Sequence, residues 1–195
     1  NHGLPINGDG SFLYFYRGGD LLWIIQQGSS PAWSPDGKQL AFESESYYSP
    51  PDAMTQPYYD IAIWNTSCES VGAGCDRNLT RVSETSNATE PAWAPDSHQL
   101  AYVCSGELLD GSSVGQEICT INLEGDSQRV LTHTPKAIEE SPIWSLDGRY
   151  VAFFRYDFAL GERGIFAIDL ESASVSKVGD PPGDSPQLLF WWDLQ

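Results

Sequence analysis

Any chemistry this chain performs must draw on a short list of side chains. Its histidines are His2, His98 and His133, and its cysteines are Cys68, Cys75, Cys104 and Cys119. A nucleophile activated by a base, or a tetrahedral zinc site, needs histidine or cysteine at characteristic spacings. His133 follows an apolar "VLT" segment with no evident partner, and neither cysteine pair has a zinc-like spacing. HExxH and a phosphate-cradling glycine loop are both missing from the sequence. Glu43, Glu45 and Asp52 offer carboxylates to Ca²⁺, but without EF-hand spacing. The expectation is a non-enzyme with no catalytic residue, no cofactor-binding residue and no metal ligand.

The cysteines suit covalent closure better. Cys68 and Cys75 bracket "ESVGAG", while Cys104 and Cys119 flank a hairpin-like stretch, so the expected disulfides are Cys68–Cys75 and Cys104–Cys119. Local disulfides imply an oxidising compartment, extracellular or periplasmic. Four buried thiols in a cytosolic protein are the alternative. The chain opens "NHGLPINGDG", which reads as a processed protein or an excised segment.

Charge narrows the partners. The formal net charge is −17, with ten lysines and arginines scattered along 195 residues. Phosphate backbones are bound by clustered Lys and Arg, so nucleic acid is excluded as an expected partner. No apolar run approaches the roughly 18–20 residues of a membrane-spanning helix. At 41 % hydrophobic the chain has enough apolar residues for a packed core.

The elements that position these residues come from a repeat. "PAWSPDGKQLAF" (31–42), "PAWAPDSHQLAY" (91–102) and "PIWSLDGRYVAF" (142–153) are one phrase written three times, with Trp33, Trp93 and Trp144 spaced 60 and 51 residues apart. Each copy reads as a β-hairpin: a short strand ending in tryptophan, a tight corner at Asp-Gly, and a returning strand. Ser97 replaces Gly37 at the second corner and Leu146 replaces Pro35 at the third. The returning strands alternate alanine with bulky residues, so both sheet faces are apolar and each sheet must lie between two others. Third strands are expected at 60–65, 117–122 and 164–169, and fourth strands at 78–82, 130–134 and 174–179.

These phrases, with the trailing "NLT" and "VLT", resemble the TolB-type, WD-like β-propeller repeat over about residues 31–179. The resemblance implies an all-β propeller of four-stranded antiparallel blades, at about 31–82, 91–134 and 142–179, in one domain. It also implies that Trp33, Pro35, Asp36, Gly37 and their counterparts are architectural. Some TolB-like propellers are lyases or the gating domains of serine peptidases. The first would need a histidine metal cluster and the second a hydrolase domain, and the sequence shows neither.

The ends suggest a fourth, composite blade. "SFLYFYRGGDLLWIIQQ" (11–27) reads as two strands joined at Gly18-Gly19, and "SPQLLFWWDLQ" (185–195) resembles the opening of another repeat. Phe12, Tyr14, Leu188, Phe190, Trp191 and Trp192 are the expected closure strands. Three arrangements remain open: a four-bladed ring, part of a longer propeller, or pairing with neighbouring copies into an oligomer or filament.

Function should sit on the loops. The second-to-third-strand loops and inter-blade links (43–59, 83–90, 105–116, 133–141, 156–163 and 180–185) share one face and hold thirteen acids against Lys136 and Arg163. The same face carries the insertion 43–60, where Tyr47, Tyr48, Tyr58 and Tyr59 are the candidates for contact with a protein or glycan. Asn65, Asn78 and Asn87 head three N-glycosylation sequons. The expected function is a non-catalytic, extracytoplasmic interaction module. The alternative is a structural subunit that self-assembles through its incomplete end blades.

Overall fold

The computed structural model describes residues 12–17, 20–26, 28–48, 56–65, 67, 76–78, 86–107, 113–125, 127–134 and 136–180. They form strands and turns, with no helix among the described residues. Strands β1 (Phe12–Arg17) and β2 (Asp20–Gln26) make an antiparallel ladder, as the Gly18-Gly19 break suggests, and β1 lies beside the first blade's inner strand.

Three four-stranded antiparallel blades follow. The first comprises β3 (Gly28–Trp33), β4 (Gln39–Tyr48), β5 (Gln56–Asn65) and β6 (Asp76–Asn78). The second comprises β7 (Ser86–Trp93), β8 (Gln99–Glu107), β9 (Ser113–Asn122) and β10 (Arg129–Val130). The third comprises β11 (Ala137–Trp144), β12 (Tyr150–Asp157), β13 (Glu162–Asp169) and β14 (Val175–Gly179). The fold is an all-β propeller of antiparallel blades.

The alternation of the returning strands determines how the blades stack. Leu100, Tyr102 and Cys104 of β8 pack with Ala41, Ile61 and Ile63 of the first blade. Ala101 and Val103, on the opposite face of the same strand, pack with Trp144, Val151 and Phe153 of the third. The second blade is thus apolar on both faces, because small alanines on one side admit the bulky residues of the neighbour.

The corners follow from Ser-Pro-Asp-Gly chemistry. Ser34 Oγ donates to Asp36 Oδ1 (2.7 Å), which also accepts from Lys38 N (3.0 Å), and Gln39 N donates back to Ser34 Oγ (2.9 Å). Ser145, Asp147, Arg149 and Tyr150 repeat this set in the third blade. Gly37 and Gly148 close the turns at φ 71° and 72°, where a side chain would be strained. Ser97 adopts φ 61° at the second corner, and its hydroxyl accepts Asp36 N of the preceding corner (3.2 Å), which offsets the strain. The corners span five residues, one turn plus a left-handed residue.

Two expectations differ from the structure. The inner strands begin before the repeated phrase and carry a bulge at the residue preceding each proline: Ser30, Glu90 and Ser141 have φ of 47°, 54° and 55°. The fourth strand expected at 130–134 is reduced to Arg129–Val130. Beyond it Thr132 leaves the ladder, and its hydroxyl takes over from a backbone carbonyl by accepting Ile118 N (2.9 Å).

Candidate interaction surface

The seams between blades position the loops. Trp93 Nε1 donates to the carbonyl of Ala32 (2.8 Å), and Trp144 Nε1 donates to that of Ala92 (3.2 Å). Each indole therefore bonds the residue just before the preceding blade's tryptophan, which fixes the angular step between blades. Trp93 and Trp144 are 8 % and 7 % exposed, whereas Trp33 of the first blade is 53 % exposed.

Several acids counted on the loop face turn inward. Glu43 accepts the bulge N–H of Glu90 (2.8 Å) and the hydroxyl of Ser29 (2.6 Å), and Glu90 in turn accepts the bulge N–H of Ser141 (2.5 Å). This carboxylate relay meets backbone donors that the bulges turn out of the ladder, as buried N–H groups require. Burial pushes the Glu90 carboxyl up, with the neighbouring Glu140 and Glu43 charges adding to it and the Ser141 N–H opposing.

A second cluster lies between the second and third blades. Glu117 and Glu139 are fully buried, and the Thr132 hydroxyl sits between them, 2.8 Å from Glu117 Oε2 and hydrogen-bonded to Glu139 Oε2. Thr134 contributes its N–H to Glu117 (2.7 Å) and its hydroxyl to Glu139 (2.8 Å). Arg155 donates Nε (2.7 Å) to Glu139 and spreads its guanidinium over the Phe166 ring, 4.6 Å from the centroid. Burial holds the Glu139 carboxyl above its ordinary range against the pull of Thr132 and Arg155. Glu43, Glu90 and Glu139 are thus blade-joining groups, and the loop face is less acidic than the sequence count implies.

The sequence-predicted contact residues lie as follows. The insertion at 43–60 is mostly a ladder rather than a loop. β4 continues to Tyr48 and β5 resumes at Gln56, placing Tyr47 opposite Pro57 and Tyr58 opposite Ser46. Tyr59, opposite Glu45, is half-buried, and its N–H donates to Asn87 Oδ1 across the seam (3.1 Å). Asn87 therefore serves as a strut, while Asn65 is exposed and accepts Ser67 N (3.0 Å) and Oγ (2.8 Å) in an Asx turn. Asn78 ends β6, opposite Ala62. Phe12 and Tyr14 pair with Gln26 and Ile24. Leu188, Phe190, Trp191 and Trp192 lie outside the described residues, as do Cys68 and Cys75. Cys104–Cys119 is a disulfide joining β8 to β9, with Cα atoms 5.8 Å apart.

The structure adds a feature that sequence reading passed over. The β12–β13 connection, on the loop face, exposes Phe158 and Leu160 at 58 % and 70 %, with Tyr156 beside them. Tyr156 and Phe158 meet edge to face at 4.7 Å. The signal was present as "YDFALGE", an apolar-rich stretch where a turn is usually polar.

The opposite face differs in character. His98 is exposed, and its N–H donates to Asp96 (2.8 Å), so it caps the second corner, while His133 is exposed on its own segment. A cleft of about 340 Å³ opens between the first two corners, lined by Asp36, Lys38, Gln39, Asn65, His98 and Leu123 among others.

No family model matches the sequence. Solved structures do match the fold. TolB from Acinetobacter baumannii aligns at TM-score 0.57 and 16 % identity, over 83 % of this chain and 35 % of that one. The β-propeller domain of the Trilobed protease from Pyrococcus furiosus aligns at 0.54 and 19 % identity, over 79 % of this chain and 43 % of that one. Oligogalacturonate lyase from Vibrio parahaemolyticus aligns at 0.55 and 19 % identity, over 84 % and 40 %. The chain spans less than half the length of these proteins, and at such identities the likeness is one of fold, the β-propeller.

Proposed function

We propose that this chain is a non-catalytic, extracytoplasmic interaction module that engages a protein partner through its second-to-third-strand loop face. The observation that carries this reading is how its buried carboxylates are used. Glu43, Glu90, Glu117 and Glu139 each bind backbone N–H groups, hydroxyls or Arg155 of their own or the adjoining blade, as structural rather than reacting groups do. Similar propellers occur in proteins of different activities, so the fold leaves function to the surface it presents. One similar solved structure is of a nidogen/laminin complex, at TM-score 0.53 and 12 % identity, over 83 % of this chain and 54 % of that one. The Cys104–Cys119 disulfide supports an oxidising compartment.

The test is alanine substitution of Tyr47, Tyr48, Tyr58 and Tyr59, with affinity measured for the partner cross-linked in the native setting. A tenfold or greater loss at one or more positions is expected of contact anchors. Unchanged binding by all four variants would remove these tyrosines from the interface. A glycan partner is the other outcome, read by competition with free oligosaccharide.

Self-assembly through the end strands is a second reading, supported by the half-exposed Trp33 where its equivalents are buried. Light scattering separates the two, since a stable 21.5 kDa monomer ends the assembly reading.

A further inference from the structure

The fold separates the three sequons, which are alike in sequence. Asn87 is committed to a seam: it is half-buried in β7, and its Oδ1 accepts Tyr59 N of the first blade (3.1 Å). The hydroxyl residue of its sequon, Thr89, lies two residues along the same extended strand, opposite Val103. About 7 Å of strand therefore holds that hydroxyl away from the Asn87 carboxamide. Asn78 is laddered to Ala62 at the end of β6, and its Thr80 lies outside the described residues.

Asn65 is placed differently. It ends β5 and is exposed. Ser67 donates both its N–H (3.0 Å) and its hydroxyl (2.8 Å) to Asn65 Oδ1, while Asn65 Nδ2 has no acceptor among the described residues. These bonds span only two residues, so the turn needs no neighbouring blade to form. The Asn65 side chain also borders the cleft of about 340 Å³ between the first two corners, so a bulky group on Nδ2 meets open space rather than a packed wall.

We propose that Asn65 is an N-glycan acceptor whose substrate is an oligosaccharide linked to a lipid through pyrophosphate. Nδ2 attacks the anomeric carbon of the first sugar, and the new N–C bond replaces the bond from that carbon to the pyrophosphate oxygen. The lipid pyrophosphate leaves with the bonding pair, and one Nδ2 proton passes to solvent. The two Ser67 donors stabilise the negative charge that builds on Oδ1 as Nδ2 gives up this proton. A glycan here covers the corner face and leaves the second-to-third-strand loop face open to a partner. The proposal rests on the extracytoplasmic part of the reading above, because such acceptors lie on the surface of secreted proteins.

The test is secretion of the full chain from a eukaryotic host, with each sequon and each cysteine mapped by mass spectrometry before and after treatment with peptide-N-glycosidase. Asn65 should carry a glycan in most molecules and Asn87 should be bare. Asn65→Gln and Ser67→Ala should each remove the modification, and Ser67→Thr, which keeps the hydroxyl, should retain it. Both positions are exposed, and an unchanged melting temperature of the deglycosylated variants serves as the folding control. A glycan on Asn87 with Asn65 bare contradicts the assignment, as does occupancy of Asn65 that ignores Ser67→Ala. A bare Asn65 in a chain whose Cys104–Cys119 disulfide is intact overturns the acceptor and leaves the extracytoplasmic reading standing. A bare Asn65 with both thiols free overturns both.

Discussion

Trp93 Nε1 lies 2.8 Å from the carbonyl oxygen of Ala32, a bond across 61 residues that joins the second blade to the first. Its counterpart from Trp144 to Ala92 spans 52 residues. The tryptophan of the repeat therefore fastens each blade to the one before it, while its ring fills the seam.

Substitution separates the two roles. Trp93→Phe keeps an aromatic ring but loses the donor, which should cost about 1–2 kcal/mol. Trp93→Ala also opens a cavity and should cost about 3–5 kcal/mol. Trp33→Ala, at a half-exposed ring, should cost less than Trp93→Ala. Urea unfolding midpoints check the order, and equal costs at 33 and 93 would contradict it.

The second corner tests how strain is offset. Ser97 holds a left-handed φ and accepts Asp36 N, so Ser97→Ala keeps the strain and loses the bond, at about 1 kcal/mol. Ser97→Gly loses the same bond but relieves the backbone, so it should fall closer to wild type. Thermal melts of the three proteins should rank wild type and Gly above Ala.

The buried carboxyls set a pH dependence. Glu139 and Glu90 are both raised above their ordinary value of 4.5, chiefly by burial. A carboxyl raised in the folded state contributes its full stability while protonated, below the unfolded value, and loses it as pH climbs through the folded value. Urea midpoints should therefore decline as pH rises from about 4.5, and Glu139→Gln should flatten the decline. The acid side has the opposite sign. Asp36, Asp147 and Asp169 are held low by hydrogen bonds from Ser34, Ser145 and Arg149 respectively, and their contribution fades as pH falls through those lowered values. A wild-type slope unchanged by Glu139→Gln would place the titration elsewhere.

The disulfide between β8 and β9 closes a loop of sequence separation 15. Chain entropy puts its worth at about 3 kcal/mol. Cys104→Ser/Cys119→Ser should lower the melting temperature by several degrees, and reductant should reproduce the shift in the wild type. Loss of that sensitivity in the double variant completes the check.

Much of the fold was legible because hairpins are local. Trp33 to Phe42 encodes its own strand, corner and return, and the alternation at 100–104 announces a sheet with two apolar faces. The third strands fell where "DIAIWN", "EICTIN" and "GIFAID" placed them. What escaped was non-local. Glu43, Glu90 and Glu139 look like surface acids in sequence, and only the stacking of blades brings bulge N–H groups and threonine hydroxyls to them. The short β10 has the same cause, since Thr132 leaves the ladder to serve carboxylates from two other strands. The candidate surface was legible as a face but not in its anchors. Phe158 and Leu160 lie in the segment 156–163, read only as a loop, and the register of β12 and β13 places them beyond the last cross-strand pair, exposed.

The most direct measurement is hydrogen exchange at the indole Nε1 groups of Trp93 and Trp144, assigned by NMR. Both are expected to exchange orders of magnitude more slowly than free indole, because each is buried and bonded to the preceding blade. Exchange of both at the free-indole rate would contradict the stacked-blade seams on which the loop face is built.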